Sequence, residues 1–189
     1  TWQFLLDSAD LYGQISGKFE CRNPARGHFM ALSDVSDLAR NEEGIAAALG
    51  ILKQRFGPHC QTGADIRRQH AHTTTYIPNQ PPDAVVFAGS SADVQETVRI
   101  CAAHRAPVIP FGTGTSLEGH VNAPAGGISL DLMRMDRVLQ VNAEDLDCVI
   151  EPGITRKALN EYLRDTGLFF PIDPGADATL GGMASTRAS

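Results

Sequence analysis

Residues 110–120 read PFGTGTSLEGH, a run in which glycines alternate with small hydroxyl side chains. Three chemistries use runs of this kind. A dinucleotide fingerprint requires G-x-G-x-x-G; Gly112 and Gly114 open it correctly, but the third glycine, Gly119, comes two places late. A Walker-type loop requires G-x-x-x-x-G-K-[ST]. Gly114 and Gly119 have that spacing, yet His120 replaces the lysine and Val121 the hydroxyl, so the phosphate cation and the magnesium ligand are both missing. The third chemistry is a cradle of bare main-chain amides that holds a pyrophosphate without reacting with it. Thr113, Thr115 and Ser116 would add hydroxyl donors, and glycine permits the unusual φ and close approach that such a cradle needs. No Lys or Arg lies between Arg105 and Arg134, so amides are the only phosphate-binding means this segment has. The competing reading is an ordinary tight turn.

A second loop has the same texture. DPGADATLGGMAST, residues 173–186, carries Pro174, Gly175, Gly181 and Gly182 among small residues and hydroxyls. Two such loops separated by a sheet could grip the two halves of one long dinucleotide. Asp177 would either contact that ligand or cap a helix beginning near Thr179.

Other reactive side chains are sparse. His70 and His72, two apart, could share a strand face and bind metal. Without a third ligand nearby they read as solvated loop residues, and no metal is expected. Cys21, Cys60, Cys101 and Cys148 form no CxxC pair, which argues against a zinc or thioredoxin-type centre and for reduced, half-buried thiols.

The elements that must position these residues follow from periodicity. Ile45, Leu49, Leu52 and Phe56 have helical spacing over 42–56, and Gly57-Pro58 ends that helix. QTGADIRRQHAHTTTYIPNQPPD reads as a polar connector. AVVFA (84–88) predicts a strand. The helix after it is capped at Ser90, with Val94, Val98 and Cys101 on one stripe, and PVIPF (107–111) predicts a second strand. Strand, helix and strand within 30 residues make a compact parallel βαβ unit, and the glycine run begins where its second strand ends, the edge at which open α/β sheets collect ligands. GISLDL, VLQVN and DCVIEPG predict short strands of an antiparallel or mixed sheet. Thr155 caps a helix whose inward residues are Leu159, Tyr162 and Leu163 and which Gly167 closes. LFFPIDPGAD predicts a further strand entering the second loop.

The 189 residues allow one domain, or one and a fraction. A net charge of −6 argues against nucleic acid or an anionic membrane surface as a partner. No apolar run reaches the roughly 18 residues of a membrane helix, and neither a signal nor a transit peptide is visible. A chain that opens without Met and closes inside a helix signal is expected to be a fragment of a longer protein.

PPDAVVFAGSSADVQETVRICAAHRAPVIPFGTGTSLEG and EPGITRKALNEYLRDTGLFFPIDPGADATLGGMASTRAS, with the spacing between them, resemble the FAD-binding domain of the vanillyl-alcohol-oxidase / p-cresol-methylhydroxylase (PCMH) superfamily. In particular they resemble the FAD-linked D-lactate dehydrogenases of the cytochrome type, with the glycolate oxidase FAD subunit a near relative. The likeness spans residues 42–189. It implies an α+β PCMH-type domain with a small parallel βαβ lobe and a second antiparallel or mixed-sheet lobe, incomplete at its C-terminus. The expected organisation is an unassigned arm (1–41), a leading helix and connector (42–82) and the FAD-binding domain (83–189).

By this resemblance Pro110, Phe111, Gly112, Thr113, Gly114, Thr115 and Ser116, with Gly119, wrap the FAD pyrophosphate. Glu151, Pro152 and Gly153 sit near the cofactor. Pro174, Gly175, Ala176, Asp177, Thr179, Gly181, Gly182 and Ser185 line the path from adenosine to isoalloxazine. Thr115 stands where some relatives carry a flavin-linked histidine, so FAD is expected to be non-covalent, with His120 on the solvent side. The implied reaction is oxidation of a small D-2-hydroxy acid, D-lactate foremost, to the 2-oxo acid, with electrons passed to cytochrome c or quinone. The metal-binding histidines and carboxylate-binding arginine of such enzymes fall beyond residue 189, so no catalytic residue and no turnover are expected of this stretch alone. Alternatives are the FAD subunit of a glycolate oxidase, a D-2-hydroxyglutarate dehydrogenase, or a non-redox flavoprotein of the alkyl-dihydroxyacetonephosphate synthase type. The expected location is cytoplasmic or membrane-peripheral, and mitochondrial in a eukaryote.

Overall fold

The computed structural model describes residues 39–188, so the arm expected over 1–41, with Cys21, lies outside the described residues except for its last three positions. Helix α1 (Glu42–Phe56) begins where Asn41 Oδ1 accepts the Gly44 N–H at 3.0 Å. The same side chain donates through Nδ2 to the His104 carbonyl at 3.1 Å, which ties the helix start to a distant turn. Ile45, Ala48 and Leu52 form the buried stripe, and Gly57 at φ 52° stops the helix before a short 3₁₀ turn. The region expected to be connector is structured at its start. Strand β1 (Cys60–Gln61) and helix α2 (Ala64–Gln69) precede the irregular part.

Strand β2 (Ala84–Phe87), helix α3 (Ser91–Ala103) and strand β3 (Val108–Phe111) fall where periodicity put them. Ser90 Oγ accepts the Asp93 N–H at 3.2 Å, and Asp93 reaches back to the Gly89 N–H at 3.1 Å. This reciprocal arrangement satisfies one donor that the helix leaves over, the Asp93 N–H, and one on the residue just before the cap. The inward stripe differs from expectation: Thr97, Ile100 and Cys101 are buried and Val98 is exposed.

The sheet order is β1-β2-β4-β3, with β1 antiparallel and the other three strands parallel. β4 (Ile128–Asp131), grouped from sequence with the antiparallel strands, instead lies between β2 and β3. Every residue of β4 is buried, which suits a central slot, whereas Pro110 in β3 has no N–H to give a second neighbour and suits an edge. In register, Phe87 and Phe111 both face Asp131. Three parallel strands therefore end together on one side.

The second lobe holds β5 (Val138–Asn142) paired antiparallel with β6 (Asp147–Ile150). It is followed by helix α4 (Arg156–Leu163), a 3₁₀ turn closed by Gly167 at φ 75°, and helix α5 (Leu180–Thr186). Thr155 caps α4 as expected, but Tyr162 is exposed, and Leu159 and Leu163 alone of the expected three face inward. Residues 168–174 form no strand. Pro171 and Pro174 remove donors, and Asn160 claims the main chain of Phe170, donating to its carbonyl at 3.1 Å and accepting its N–H at 2.6 Å.

Each lobe has its own core. Leu52, Val86, Ile100, Ile128 and Leu130 anchor the first, and Ile154, Leu159, Leu163, Phe170 and Leu180 the second. Full burial of one such side chain stabilises the fold by about 1.5–3 kcal/mol. Cys60 and Cys101 lie in the first core and Cys148 is half-buried; burial, then the neighbouring Cys60, pushes the Cys101 thiol up to about 11.

Candidate functional site

The glycine run leaves β3 at the shared C-terminal edge of the parallel strands. It curls over the ring of the residue that starts it. Gly114 has φ +69°, and a Cβ built there would stand 3.0 Å from Phe111 Cζ and 3.1 Å from Cε2. Gly119 has φ +77° and closes a turn in which Asn122 donates its N–H to the Gly119 carbonyl at 3.0 Å. None of the five main-chain N–H groups from Gly112 to Ser116 has an acceptor among the described residues. The side chains bond one another instead. Thr113 Oγ1 lies 3.5 Å from Thr115 Oγ1, and Ser116 Oγ donates to Glu118 at 2.7 Å and lies 2.9 Å from His120 Nδ1. His120 is solvent-exposed, as expected.

The two loops meet. A methyl on Gly112 would overlap Thr179 Oγ1, which is the N-cap of α5 and accepts the Gly182 N–H at 3.3 Å. A methyl on Gly181 would stand 2.6 Å from Pro152 Cβ, and the Gly181 N–H donates to the Pro152 carbonyl at 3.0 Å. Leu180 N–H donates to Ile154 O at 2.8 Å, and Arg156 N–H to Ala178 O at 3.1 Å. The segments around Gly112, Pro152 and Thr179–Gly182 are thus one packed unit, possible only because Gly112 and Gly181 present no side chain there. Pro174, Gly175, Ala176 and Asp177 form the outer turn, with Gly175 and Asp177 exposed. Thr179, not Asp177, caps the helix. The Ser185 hydroxyl donates to the Gly181 carbonyl at 2.8 Å within α5.

Glu151 is nearly buried, and its carboxylate faces Arg137. It accepts the main-chain N–H at 3.0 Å, Nε at 3.1 Å and Nη2 at 2.8 Å. These bonds, led by the guanidinium, hold the Glu151 carboxyl below its ordinary 4.5, against a desolvation that would raise it. A depressed carboxyl stabilises the fold above its unfolded value, and that contribution is lost as pH falls through the folded one. The stability gap between wild type and Glu151→Gln is therefore expected to be widest near about pH 7 and to close as pH falls below about 4.5 in denaturant titrations. A gap that widens in acid contradicts this role.

Sequence reasoning missed the strap that roofs the glycine run. The stretch expected to be linker bonds once to the run and twice to the turn that follows it. Thr73 Oγ1 donates to Ser116 O at 3.4 Å, Gln80 N–H to Asn122 Oδ1 at 2.8 Å, and Ala123 N–H to Gln80 O at 2.9 Å. Asn122 Nδ2 is buried without a partner among the described residues. His70 and His72 do not share a face: His72 is exposed, and His70 is buried against Asp131. The polar run HAHTTTYIPNQ carried the only signal, because it holds more hydroxyls and amides than a plain linker needs. Among the described residues no group of three or more His, Cys, Asp or Glu is placed to hold a metal.

Five amides without an acceptor among the described residues, in a turn with a left-handed glycine and small hydroxyl side chains, supply the uncharged donors that a pyrophosphate requires. The residues present fit FAD.

Comparison with known proteins agrees. The chain is 52% identical over 127 residues to a Danio rerio protein named probable D-lactate dehydrogenase, mitochondrial; the match covers 67% of this chain and 26% of the relative. It is 47% identical over 108 residues to the Arabidopsis thaliana D-lactate dehydrogenase (cytochrome), mitochondrial, covering 57% and 19%. The chain therefore spans about a quarter or less of those relatives. A solved alkyldihydroxyacetonephosphate synthase superposes with a TM-score of 0.68 at 25% identity, over 75% of this chain and 32% of that one. No helix of the described residues is long and apolar enough to cross a membrane. Residues 82–189 match the FAD binding domain family, so this chain, with its amide-lined loop and the second loop packed against it, belongs to that family and takes FAD as its cofactor.

Proposed function

We propose that this chain is the cofactor-holding part of a flavoenzyme that oxidises a D-2-hydroxy acid, D-lactate foremost, to the 2-oxo acid. The observation that carries the reading is the row of five amides from Gly112 to Ser116 that have no acceptor among the described residues, in a chain that shares about half its matched residues with proteins named D-lactate dehydrogenase. When bound, FAD supplies the hydride acceptor. The chain's residues bind and orient it. The Gly112–Ser116 amides, with Pro110, Phe111 and Gly119 shaping the turn, hold the pyrophosphate. Pro152, Gly153, Thr179, Gly181, Gly182 and Ser185 flank the path between the lobes, and Pro174, Gly175, Ala176 and Asp177 guard its outer end. Glu151 braces Arg137 and so fixes the segment that leads to Pro152.

FAD is held without a covalent bond, because Thr115 offers no imidazole to the flavin and His120 faces solvent. Electrons leave to cytochrome c or a quinone. In a eukaryotic parent the compartment is the mitochondrion, as in the names of the two relatives; in a bacterial one it is the cytoplasm or the membrane surface. The functional boundary falls at residue 83, with the leading helix and connector over 42–82 packed against the domain.

The test uses the full-length protein. It should purify yellow and release all flavin on acid precipitation. D-Lactate should bleach the flavin faster than glycolate or D-2-hydroxyglutarate, and L-lactate should not bleach it. Bleaching by glycolate or D-2-hydroxyglutarate first would move the substrate to those acids. Bleaching by none would remove the dehydrogenase reading in favour of a non-redox flavoprotein.

A further inference from the structure

The imidazole of His70 is held on both sides. The Ile66 carbonyl lies 2.8 Å from Nδ1, and a carbonyl can only accept, so Nδ1 carries a proton. Nε2 lies 2.8 Å from Asp131 Oδ2, and that contact requires a second proton between the two atoms. The other carboxylate oxygen accepts the Met133 N–H at 2.8 Å. Both side chains are 6% exposed. Asp131 ends the central strand, in register with Phe87 and Phe111. The His70 ring meets both: Phe87 edge-on at 5.7 Å between centroids, and Phe111 at 4.3 Å with a 43° tilt.

Phe111 is also the ring over which the glycine run curls, 3.0 Å from where a Gly114 Cβ would stand. A continuous stack therefore runs from α2 and β4, through His70 and Phe111, to the main chain of the free amides. We propose that the buried His70–Asp131 pair is a positioning element for FAD: it fixes the Phe111 ring and so presets the Gly112–Ser116 amides for the pyrophosphate. A turn left to wander would have to be ordered by the ligand, and that ordering weakens binding. The pair acts through Phe111 and does not itself touch the cofactor.

The inference rests on the FAD reading of the loop and not on the hydroxy-acid reading, so its test needs no substrate. Apoprotein of the full-length chain is titrated with FAD by fluorescence, and thermal unfolding is followed in parallel. Asp131→Asn keeps every bond, since its amide can donate to His70 Nε2 and its carbonyl oxygen can accept from Met133. Its Kd should stay within about threefold of wild type. Asp131→Ala, and the double variant His70→Leu/Asp131→Leu, which leaves no buried charge, should weaken FAD at least about tenfold. The double variant's melting point should shift by only a few degrees. Wild-type-like FAD binding by the double variant overturns the proposal, as does an equal Kd for Asp131→Asn and Asp131→Ala. The second comparison decides alone if the double variant does not fold. Failure of wild type to bind FAD would instead sink the cofactor reading.

Discussion

Gly114→Val should weaken FAD binding by about 30-fold to a few thousand-fold while leaving the apoprotein folded. Gly114 sits at φ +69°, a left-handed conformation that costs an L-residue about 1–2 kcal/mol and a β-branched one more. Its new side chain would also be driven into the Phe111 ring, already 3.0 Å from the Cβ position, which adds about 1–3 kcal/mol of overpacking. The five amides from Gly112 to Ser116 have no bonds to lose among the described residues, so the empty turn can relax away from both penalties. The cost then falls on binding, when the ligand requires the turn in its strained form. Fluorescence titration of the full-length apoprotein with FAD measures the Kd, and the thermal midpoint separates binding from folding. Unchanged affinity would place the pyrophosphate elsewhere.

Gly153→Ala should act the other way, on folding first. A methyl there would overlap the Leu132 carbonyl oxygen outright and stand 2.8 Å from that of Met135. Both are main-chain atoms and cannot swing aside as a side chain can. Gly153 N–H donates to Met135 O at 2.7 Å, and Glu151 N–H to Arg137 O at 2.9 Å, so this segment is the seam between the two lobes. Opening it to admit a methyl breaks those bonds and separates Pro152 from Gly181. The expected loss is about 3 kcal/mol or more, at the upper end of overpacking effects. Urea unfolding of the full-length protein measures it, with Gly50→Ala as control. Gly50 faces open space on α1, where alanine is about 1 kcal/mol more favourable than glycine. Equal midpoints for Gly153→Ala and wild type would show that the lobes meet differently.

The elements with a clear local signal were legible. α1 has the predicted bounds because its apolar stripe, its capping Asn41 and its terminating Gly57 all agree. α3, α4 and α5 begin at Ser90, Thr155 and Thr179, each of which bonds the N–H three residues on. The misreadings lie where a residue's partner is far along the chain. Nothing near Ile128 says that β4 will enter between two strands already made, although Pro110 hinted that β3 could not be central. Nothing near Phe170 says that Asn160 will take its main-chain bonds. His70 reads as a polar loop residue until Asp131, 61 positions away, is brought to it.

Glycine and hydroxyl spacing, by itself, narrowed the kind of chemistry: with no lysine and no metal hydroxyl in the run, main-chain amides and small hydroxyls are the only means it has of meeting a phosphate. Those are properties of residue type and order, and no fold can supply a side chain the sequence lacks. Tertiary structure alone decided that the two loops touch, that a linker becomes a roof over one of them, and that a histidine is buried beneath it. Such facts depend on which distant surfaces bury each other, a choice made by the energy of the whole core and not by any short stretch of chain.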